Sequence, residues 1–376
     1  MTNLFSLIDK LHQEQNLSGQ ELKVLIEGRD QKTAEYLYDK ARQTAIATFG
    51  RGIYLRGLIE FTNYCRNDCL YCGLRKSNLN LERYRLSLSQ ILDCCALGHK
   101  LGFRTFVLQG GEDHYFDDER ILQIISEIKS AYPDCALTLS LGEKNPKSYK
   151  LFYQAGADRY LLRHETRNES HYRFLHPKSM SLSHRLDCLK TLKDIGYQVG
   201  CGFMVGSPEQ SVQALTEDLL FIKSFEPHMV GLGPFIPHQE TPFRDYPSGS
   251  LELTLYLLSI VRLLLPKVLL PATTALGTIH PKGRELGILS GANVIMPNLS
   301  PVETRKKYAL YDNKICVEDR PTDCHACLKT RLSSIGYEIN VGRGDSPLVA
   351  SSEIDGLLLA PLPINALLKE RKGESL

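Results

Sequence analysis

The chain has 376 residues, 23% of them charged, and a formal net charge of +2 at neutral pH. This near balance of charge, without a long basic run, excludes the electrostatic footprint of a nucleic-acid-binding protein. Residues 1–15 carry charge early and lack the apolar core of a secretory signal. The longest apolar stretch, residues 251–270, is interrupted by three charged residues and a proline. We therefore expect a cytoplasmic protein with no nucleic-acid partner and no membrane span.

Residues 1–48 show two amphipathic helical patterns, which predict an N-terminal helical extension. From residue 49 to 345, short apolar runs typical of buried parallel strands alternate with helical patterns. The predicted strands cover residues 53–62, 105–109, 136–141, 159–162, 198–205, 229–233, 268–272 and 293–296. The predicted helices between them cover residues 89–101, 118–131, 147–155, 182–195, 211–225, 251–265 and 281–290. Candidate N-caps are Ser87 or Ser89, Asp117, Asn145 and Ser181.

About eight βα repeats of this kind predict an α/β fold, a TIM-type (β/α)8 barrel. The barrel would span residues 49–345, and residues 346–376 would form a short C-terminal tail. In such a barrel, functional side chains lie at the C-terminal ends of the strands. The polar motifs that follow the predicted strands are therefore the candidate site.

Three cysteines, Cys65, Cys69 and Cys72, follow the first predicted strand in a CxxxCxxC pattern. Four thiolates would cap every iron of a 4Fe-4S cluster, whereas three leave one iron with an open coordination position. The motif therefore predicts a 4Fe-4S cluster that takes part in chemistry as well as storing electrons. The alternative is a set of packed, reduced thiols, which the polar residues 66–68 disfavour. Eleven cysteines in a chain without a secretory signal also favour metal or redox ligands over disulfides.

Three further motifs follow strands. Residues 109–113 read QGGED, and the paired glycines would let the backbone approach a ligand closely; a plain turn is the alternative. Residues 159–166 read RYLLRHET, and strand alternation places Arg159, Arg163 and Glu165 on one face. Buried there, they would need to pair with one another or with an anionic ligand. Thr273 and Thr274 offer two hydroxyl groups after the seventh predicted strand, which ordinary capping would also explain.

A second cysteine set, Cys316, Cys324 and Cys327, is spaced by seven and then two residues. This spacing predicts an accessory iron-sulfur site on a loop that Pro321 would bend. Zinc is the competing metal, because His325 could complete a Cys3His set. Uncoordinated thiols are the remaining interpretation.

The CxxxCxxC motif, with an aromatic residue before its last cysteine and GGE after the next strand, resembles the radical S-adenosylmethionine (SAM) superfamily. Six longer stretches, from about residue 50 to 340, resemble the radical maturases of the FeFe-hydrogenase active-site cluster. They are YCGLR at 71–75, ERYR at 82–85, RYLLRHET at 159–166, GLGPFIPH at 231–238, PATT at 271–274 and GANVIMPN at 291–298.

The resemblance implies reductive cleavage of SAM, at a 4Fe-4S cluster on Cys65, Cys69 and Cys72, to methionine and a 5′-deoxyadenosyl radical. The implied cofactor-binding residues are Tyr71, Gln109, Glu112, Glu165 and Arg185. Residues alone would have suggested a surface role for Arg185, which lies on the helix after the fourth predicted strand. The implied substrate-binding residues are Thr138, Arg159, Arg163, Thr273, Thr274, Met296 and Tyr308.

The resemblance also implies an anionic substrate, an iron complex that carries cysteine, carbon monoxide and cyanide. Its implied partners are companion hydrogenase maturases and an electron donor such as ferredoxin or flavodoxin. Cys316, Cys324 and Cys327 match a variable second cluster of the 2Fe-2S or 4Fe-4S type, which would be dispensable for the radical step.

Three alternatives stay open. A methylornithine synthase-like radical mutase would share the barrel and the first cysteine motif but in general lacks the later cysteine set. Biotin synthase would need a second cluster inside the barrel, and Cys94, Cys95 and Cys188 fall on helical patterns instead. A non-catalytic iron-sulfur carrier would bind a cluster without cleaving SAM.

Overall fold

The computed structural model describes residues 3–349 of the chain. The predicted tail, residues 346–376, therefore lies outside the described residues from position 350 onward. Within the described part, no helix combines the length and the apolar character needed to cross a bilayer.

Three helices, not the two predicted, form the N-terminal extension: α1 Leu4–Glu14, α2 Gly19–Glu27 and α3 Gln31–Phe49. The short connections between them hid the extra boundary in the sequence, although Ser18 and Asp30 both cap the helix that follows. The buried apolar faces of all three helices join the main hydrophobic core. The extension is therefore part of the barrel's body.

The strands are β1 Gly52–Leu55, β2 Gly57–Thr62, β3 Thr105–Gly110, β4 Ala136–Ser140, β5 Arg159–Leu161, β6 Gln198–Cys201, β7 Met204–Val205, β8 Met229–Val230, β9 Gly233–Pro234, β10 Val294–Ile295 and β11 Glu338–Asn340. Six of them form one parallel sheet in the order β2-β3-β4-β5-β6-β8. A second parallel sheet has the order β10-β1-β11, and β7 pairs with β9.

The helices after the extension are α4 Leu88–Lys100, α5 Asp118–Ala131, α6 Pro146–Gln154, α7 Glu169–Leu175, α8 Leu182–Ile195, α9 Val212–Phe225, α10 Leu251–Leu264, α11 Thr274–Ile279, α12 Gly283–Leu289, α13 Val302–Arg305 and α14 Pro321–Ser334. The seven predicted barrel helices are all present, within two residues at each boundary. Ser87, rather than Ser89, caps α4, and the other three predicted N-caps also accept the expected backbone hydrogen bonds.

The strands after β8 are joined to the rest of the sheet by isolated bridges and by the short pairing of β10 with β1. The predicted strand at 268–272 forms isolated parallel bridges, Met229 to Leu269 on one side and Pro271 to Val294 on the other. A bridge from Leu58 to Asn298 then returns to β2. Backbone pairing therefore links eight positions in the α/β architecture that the sequence predicts.

Arg262 of α10 is fully buried at this closure. Its guanidinium group donates hydrogen bonds to the carbonyls of Gly291 at 2.9 Å, Pro266 at 2.7 Å and Val268 at 2.8 Å, and to Asn293 Oδ1 at 3.1 Å. Burial lowers the pKa of Arg262 to about 9, so the group is still charged at neutral pH. This one side chain joins α10 to the two segments that complete the ring.

We expect Arg262→Met to lower the free energy of unfolding by more than about 3 kcal/mol, because four buried acceptors lose their donor. Urea denaturation of the full chain measures the loss. Lys267→Met, which removes an exposed cation five residues away, is the matched control and should change stability little. A loss below about 1 kcal/mol for Arg262→Met would contradict this account of the closure.

Candidate active site

The cysteine loop, residues 65–72, follows β2 and is held in place by Arg83. The guanidinium group donates hydrogen bonds to four backbone carbonyls on the two sides of the loop. The acceptors are Asn63, Leu74, Arg75 and Asn78, at 2.5 to 3.2 Å. Four contacts from one rigid group fix both ends of a loop that has no secondary structure of its own.

The GGE turn lies directly against this loop. A Cβ atom on Gly111 would stand 2.2 Å from the carbonyl oxygen of Tyr64 and 2.7 Å from Cβ of Cys65. No side chain fits between backbones this close, so a glycine is required. The turn at the end of β3 and the cysteine loop after β2 are therefore packed as one unit.

The three thiols of the loop interact electrostatically. Burial raises the pKa of Cys65, raises that of Cys72 to about 12 and raises that of Cys69 well above its ordinary value. Negative charge on Cys72 and Cys65 raises the pKa of Cys69 further. Metal binding requires thiolates and supplies the positive charge that holds them together. The donor set therefore suits an iron-sulfur cluster, which would be held by three cysteines.

One cavity of about 300 Å3, the upper cavity, opens at the C-terminal ends of the strands. Eight of the residues predicted from the sequence line it: Tyr71, Cys72, Gln109, Arg163, Glu165, Arg185, Thr273 and Tyr308. They come from six segments far apart in the chain, as expected of a barrel mouth. The last cysteine of the loop thus faces the same space as four of the five predicted cofactor-binding residues.

Glu165 has a left-handed backbone, with φ at 65°. The strained conformation is held because its N–H donates to the Gly202 carbonyl at 3.0 Å and its carbonyl accepts from Met204 at 3.3 Å. The Nη2 atom of Arg163 lies 3.1 Å from Oε2 of Glu165, yet neither atom has a hydrogen bond of acceptable geometry. The strained backbone and the unsatisfied charged atoms make this a candidate ligand site.

Arg185 is buried, with 7% of its surface exposed, so the surface role suggested by its helical position is wrong. It donates to Glu143 at 2.6 Å and to the Arg163 carbonyl at 2.9 Å.

Glu112, in contrast, does not line the upper cavity. Its carboxylate accepts from Arg66 at 2.9 Å and from the Glu143 N–H at 3.0 Å, beside a separate outer cavity of about 480 Å3.

His176 is a site residue that the sequence did not reveal. Its Nδ1 lies 2.9 Å from the carbonyl oxygen of Tyr172 and therefore carries the proton, which leaves Nε2 to accept from the Tyr71 hydroxyl at 3.2 Å. Burial lowers the pKa of His176 to about 3, so the ring stays neutral. No pattern in the sequence indicates this role for His176, because it follows α7, a helix of only two turns. The side chain of Tyr71, next to Cys72, is thereby oriented by a buried neutral imidazole ring.

The predicted substrate-binding residues fall into three cavities rather than one. Thr273 and Arg163 line both the upper cavity and a side cavity of about 150 Å3, which also contains Thr274 and Met296. Thr138 and Arg159 lie instead beside a floor cavity of about 10 Å3 in the N-terminal half of the barrel. Arg159 makes an ion pair with Asp345 at 2.6 Å, which is the internal pairing that the sequence left open.

Two of the three later cysteines line the side cavity. Cys316 has a left-handed backbone and lies next to Cys324, and the Nη2 atom of Arg284 is 3.7 Å from its Sγ. The contact with Cys324 and the charge of Arg284 lower the pKa of Cys316 to about 6. Cys324 and the exposed Cys327 lie on α14, which begins at Pro321, so the predicted loop is largely a helix. Proline suits the first helical turn.

Comparisons with known proteins agree with this geometry. Residues 59–222 match the Radical SAM superfamily. The chain is 44% identical to the [FeFe] hydrogenase maturase subunit HydE of Thermotoga maritima over 330 residues, which is 88% of this chain and 94% of that protein. It is 28% identical to 3-methylornithine synthase of Methanosarcina acetivorans, over 88% of this chain and 92% of that enzyme. The crystal structure of methylornithine synthase superposes with a TM-score of 0.79 at 26% identity, covering 93% and 99% of the two chains.

The chain therefore belongs to the radical SAM superfamily and, within it, to the family of the HydE maturases. The predicted family and the predicted α/β fold are confirmed. As a member of this superfamily, the protein is an enzyme that uses a 4Fe-4S cluster and SAM.

We expect Gly111→Ala to lower the iron content of the reconstituted protein severely, because the added methyl group would push the cysteine loop out of place. Gly231→Ala is the matched control, since a Cβ atom there would meet its nearest neighbour at 3.8 Å. Iron analysis and electron paramagnetic resonance (EPR) of both variants measure the effect. Normal iron content and an unchanged EPR signal in Gly111→Ala would show that the tight contact does not matter.

Proposed function

We propose that this enzyme acts in the assembly of the FeFe-hydrogenase diiron site, on a small cysteine-ligated iron complex that carries carbon monoxide and cyanide. The observation that carries the proposal is the upper cavity, where Cys72 and unsatisfied charged groups on Arg163 and Glu165 share one space. The 44% identity to a hydrogenase maturase subunit supports a role in hydrogenase assembly.

The cofactor would be held at the top of the barrel. When bound, the cluster and SAM would supply the 5′-deoxyadenosyl radical that this superfamily uses. Arg185 would bind the cofactor's carboxylate, since a guanidinium group can bind a carboxylate through two hydrogen bonds. Tyr71, held by His176, and Gln109 would bound the same space, and Glu165 would hold the cofactor's hydroxyl or amine groups. Glu112 would act indirectly, by bracing the Arg66 side of the cysteine loop.

Two arginines with buried donor atoms that have no partner support an anionic substrate. Arg163 keeps an unpartnered Nε in the upper and side cavities, and Arg159 keeps one at the floor cavity. Thr138 also has an unpartnered buried hydroxyl there. Unsatisfied buried donors are costly, so a ligand that accepts from them binds favourably. Thr273, Thr274, Met296 and Tyr308 would complete the walls around this substrate.

A second iron-sulfur cluster, of the 2Fe-2S or 4Fe-4S type, would bind at Cys316, Cys324 and Cys327. The three thiols are close to the charged groups of Arg284 and Arg331, which suits the negative charge of a thiolate-bound cluster. The site would be dispensable for SAM cleavage because these cysteines do not line the upper cavity.

The proposed setting is the cytoplasm. A companion maturase would supply the iron complex, and a ferredoxin or flavodoxin would supply the electron.

Two other functions can be distinguished from this one by experiment. A radical mutase is supported by the 28% identity to 3-methylornithine synthase, and the later cysteine set argues against it. An iron-sulfur carrier would hold clusters without cleaving SAM.

The test is the release of 5′-deoxyadenosine and methionine by the anaerobically reconstituted, reduced protein supplied with SAM. We expect release from the wild type, and none when Cys65, Cys69 and Cys72 are replaced by Ala. The matched variant with Cys316, Cys324 and Cys327 replaced by Ala should lose about two to four irons per chain and still release 5′-deoxyadenosine. No release from the wild type would support a carrier. Consumption of the cysteine-ligated iron complex would distinguish the maturase from a mutase that forms a methylornithine.

A further inference from the structure

His99, Asp134 and Cys135 form a cluster at the N-terminal end of the barrel, here called the α4–β4 cluster. Their metal-ligating atoms, an imidazole nitrogen, a carboxylate oxygen and a sulfur, all lie within 4.8 Å of one another. His99 lies in the last turn of α4, and Asp134 and Cys135 directly precede β4. The upper cavity lies at the opposite ends of the strands. The α4–β4 cluster is therefore separate from the sites described above.

Contacts outside the cluster fix the two segments that carry these side chains. The Cys135 N–H donates to the Tyr132 carbonyl at 3.0 Å, and the Ala136 N–H donates to the Arg104 carbonyl at 2.9 Å. The ring of Tyr132 packs against the imidazole of His99, with the ring centroids 5.0 Å apart. The positions of the imidazole and of the thiol are thus set by backbone hydrogen bonds and by ring packing.

The distances between the ligating atoms suit a tetrahedral metal ion. Nε2 of His99 lies 3.3 Å from Oδ2 of Asp134, and Sγ of Cys135 lies 3.7 Å from Oδ1 of the same carboxylate. Tetrahedral zinc has bonds of about 2.0–2.1 Å to nitrogen and oxygen and about 2.3 Å to sulfur, which places neighbouring ligand atoms about 3.3–3.6 Å apart. Small side-chain rotations would therefore bring all three atoms onto one ion.

Arg104 is the charged group that competes for the carboxylate. Its Nε lies 2.9 Å from Oδ2 of Asp134, and the two side chains are 31% and 51% exposed. An ion pair this exposed contributes little free energy, and it leaves Oδ1 directed toward the thiol of Cys135. Burial raises the pKa of Cys135 to about 12, so a metal ion that binds there has to displace the thiol proton.

We propose that His99, Asp134 and Cys135 bind a divalent transition-metal ion, with Zn²⁺ as the best fit, and that a water molecule completes the tetrahedron. Zn²⁺ accepts imidazole, carboxylate and thiolate ligands together, whereas Mg²⁺ and Ca²⁺ take oxygen ligands. Binding would release the thiol proton to solvent and leave the imidazole proton on Nδ1. The ion would link the end of α4 to the start of β4, and this role does not depend on the proposed function.

The test is zinc binding by the anaerobically reconstituted full-length protein with Cys316, Cys324 and Cys327 replaced by Ala, so that zinc cannot bind at those thiols. Equilibrium dialysis against zinc chloride, followed by elemental analysis, measures affinity and stoichiometry. We expect about one zinc per chain. The zinc-edge X-ray absorption spectrum, which the iron of the cluster does not obscure, should show one sulfur at about 2.3 Å and three nitrogen or oxygen ligands at about 2.0–2.1 Å.

Variants of the cluster in the same background identify the ligands. His99→Gln and Asp134→Asn should each weaken zinc binding by more than about tenfold, and Cys135→Ser should remove the sulfur from the spectrum. His12→Gln is the matched control, because His12 is also a partly buried histidine in the last turn of a helix, and it should bind zinc as before.

Thermal unfolding gives a second measurement that needs no spectrum. Zinc should raise the melting temperature of the parent protein and of His12→Gln, but not that of His99→Gln. If Cys135→Ser is not recovered as folded protein, the two variants at the more exposed positions 99 and 134 carry the test. No zinc bound by the parent, equal affinity in His99→Gln, or a spectrum without sulfur would overturn the proposal. None of these measurements requires SAM cleavage, so their failure is distinguishable from failure of the proposed function.

Discussion

Three thiols crowded on one short loop are the constraint on which the rest of the structure depends. Burial and nearby negative charge oppose the thiolate form of Cys65, Cys69 and Cys72, so a metal centre that binds them as thiolates has to supply compensating positive charge. The loop that carries the thiols is fixed by the four carbonyl contacts of Arg83 and by the close approach of Gly111.

The charged groups at the two ends of the barrel are paired to different extents. At the upper end, Arg163 and Glu165 are close but poorly aligned, which leaves both available to a ligand. At the floor, Arg159 is compensated by Asp345. Arg159 begins β5 and Arg163 lies two residues beyond its end, so the two arginines are four residues apart, about 13 Å along an extended chain. The motif at residues 159–166 therefore places Arg163 at the upper cavity and Arg159 at the floor cavity, at different depths in the barrel.

The features predicted correctly from the sequence are those that depend on local chemistry. The cysteine spacing, the eight repeats and caps such as Ser87 or Asp117 are all encoded within a few residues. The missed features depend on distant partners. Strand alternation places Arg159 on the same face as Arg163. No residue near Arg159 in the chain indicates that it pairs with Asp345, which is 186 residues away. Arg185 looked like a surface residue because Glu143 and the Arg163 carbonyl reach it only in the folded barrel.

Helix lengths explain the other differences. Residues 169–175 and 274–279 form helices of about two turns, too short to show a 3.6-residue period. Residues 321–334 form a longer helix that begins at Pro321. The spacing of its cysteines favours a metal-binding loop instead, so the helix is not predicted. The predicted cluster ligands do not depend on these helices, because they lie on the loop after β2.

The central claim is that the cluster on Cys65, Cys69 and Cys72 leaves one iron open and that SAM binds to it. Electron-nuclear double resonance on the reduced protein, with SAM labelled with 15N in its amino group and 17O in its carboxylate, tests this directly. We expect hyperfine couplings from both labels that show direct ligation to iron. A reduced cluster that shows neither coupling while SAM is bound would contradict the account.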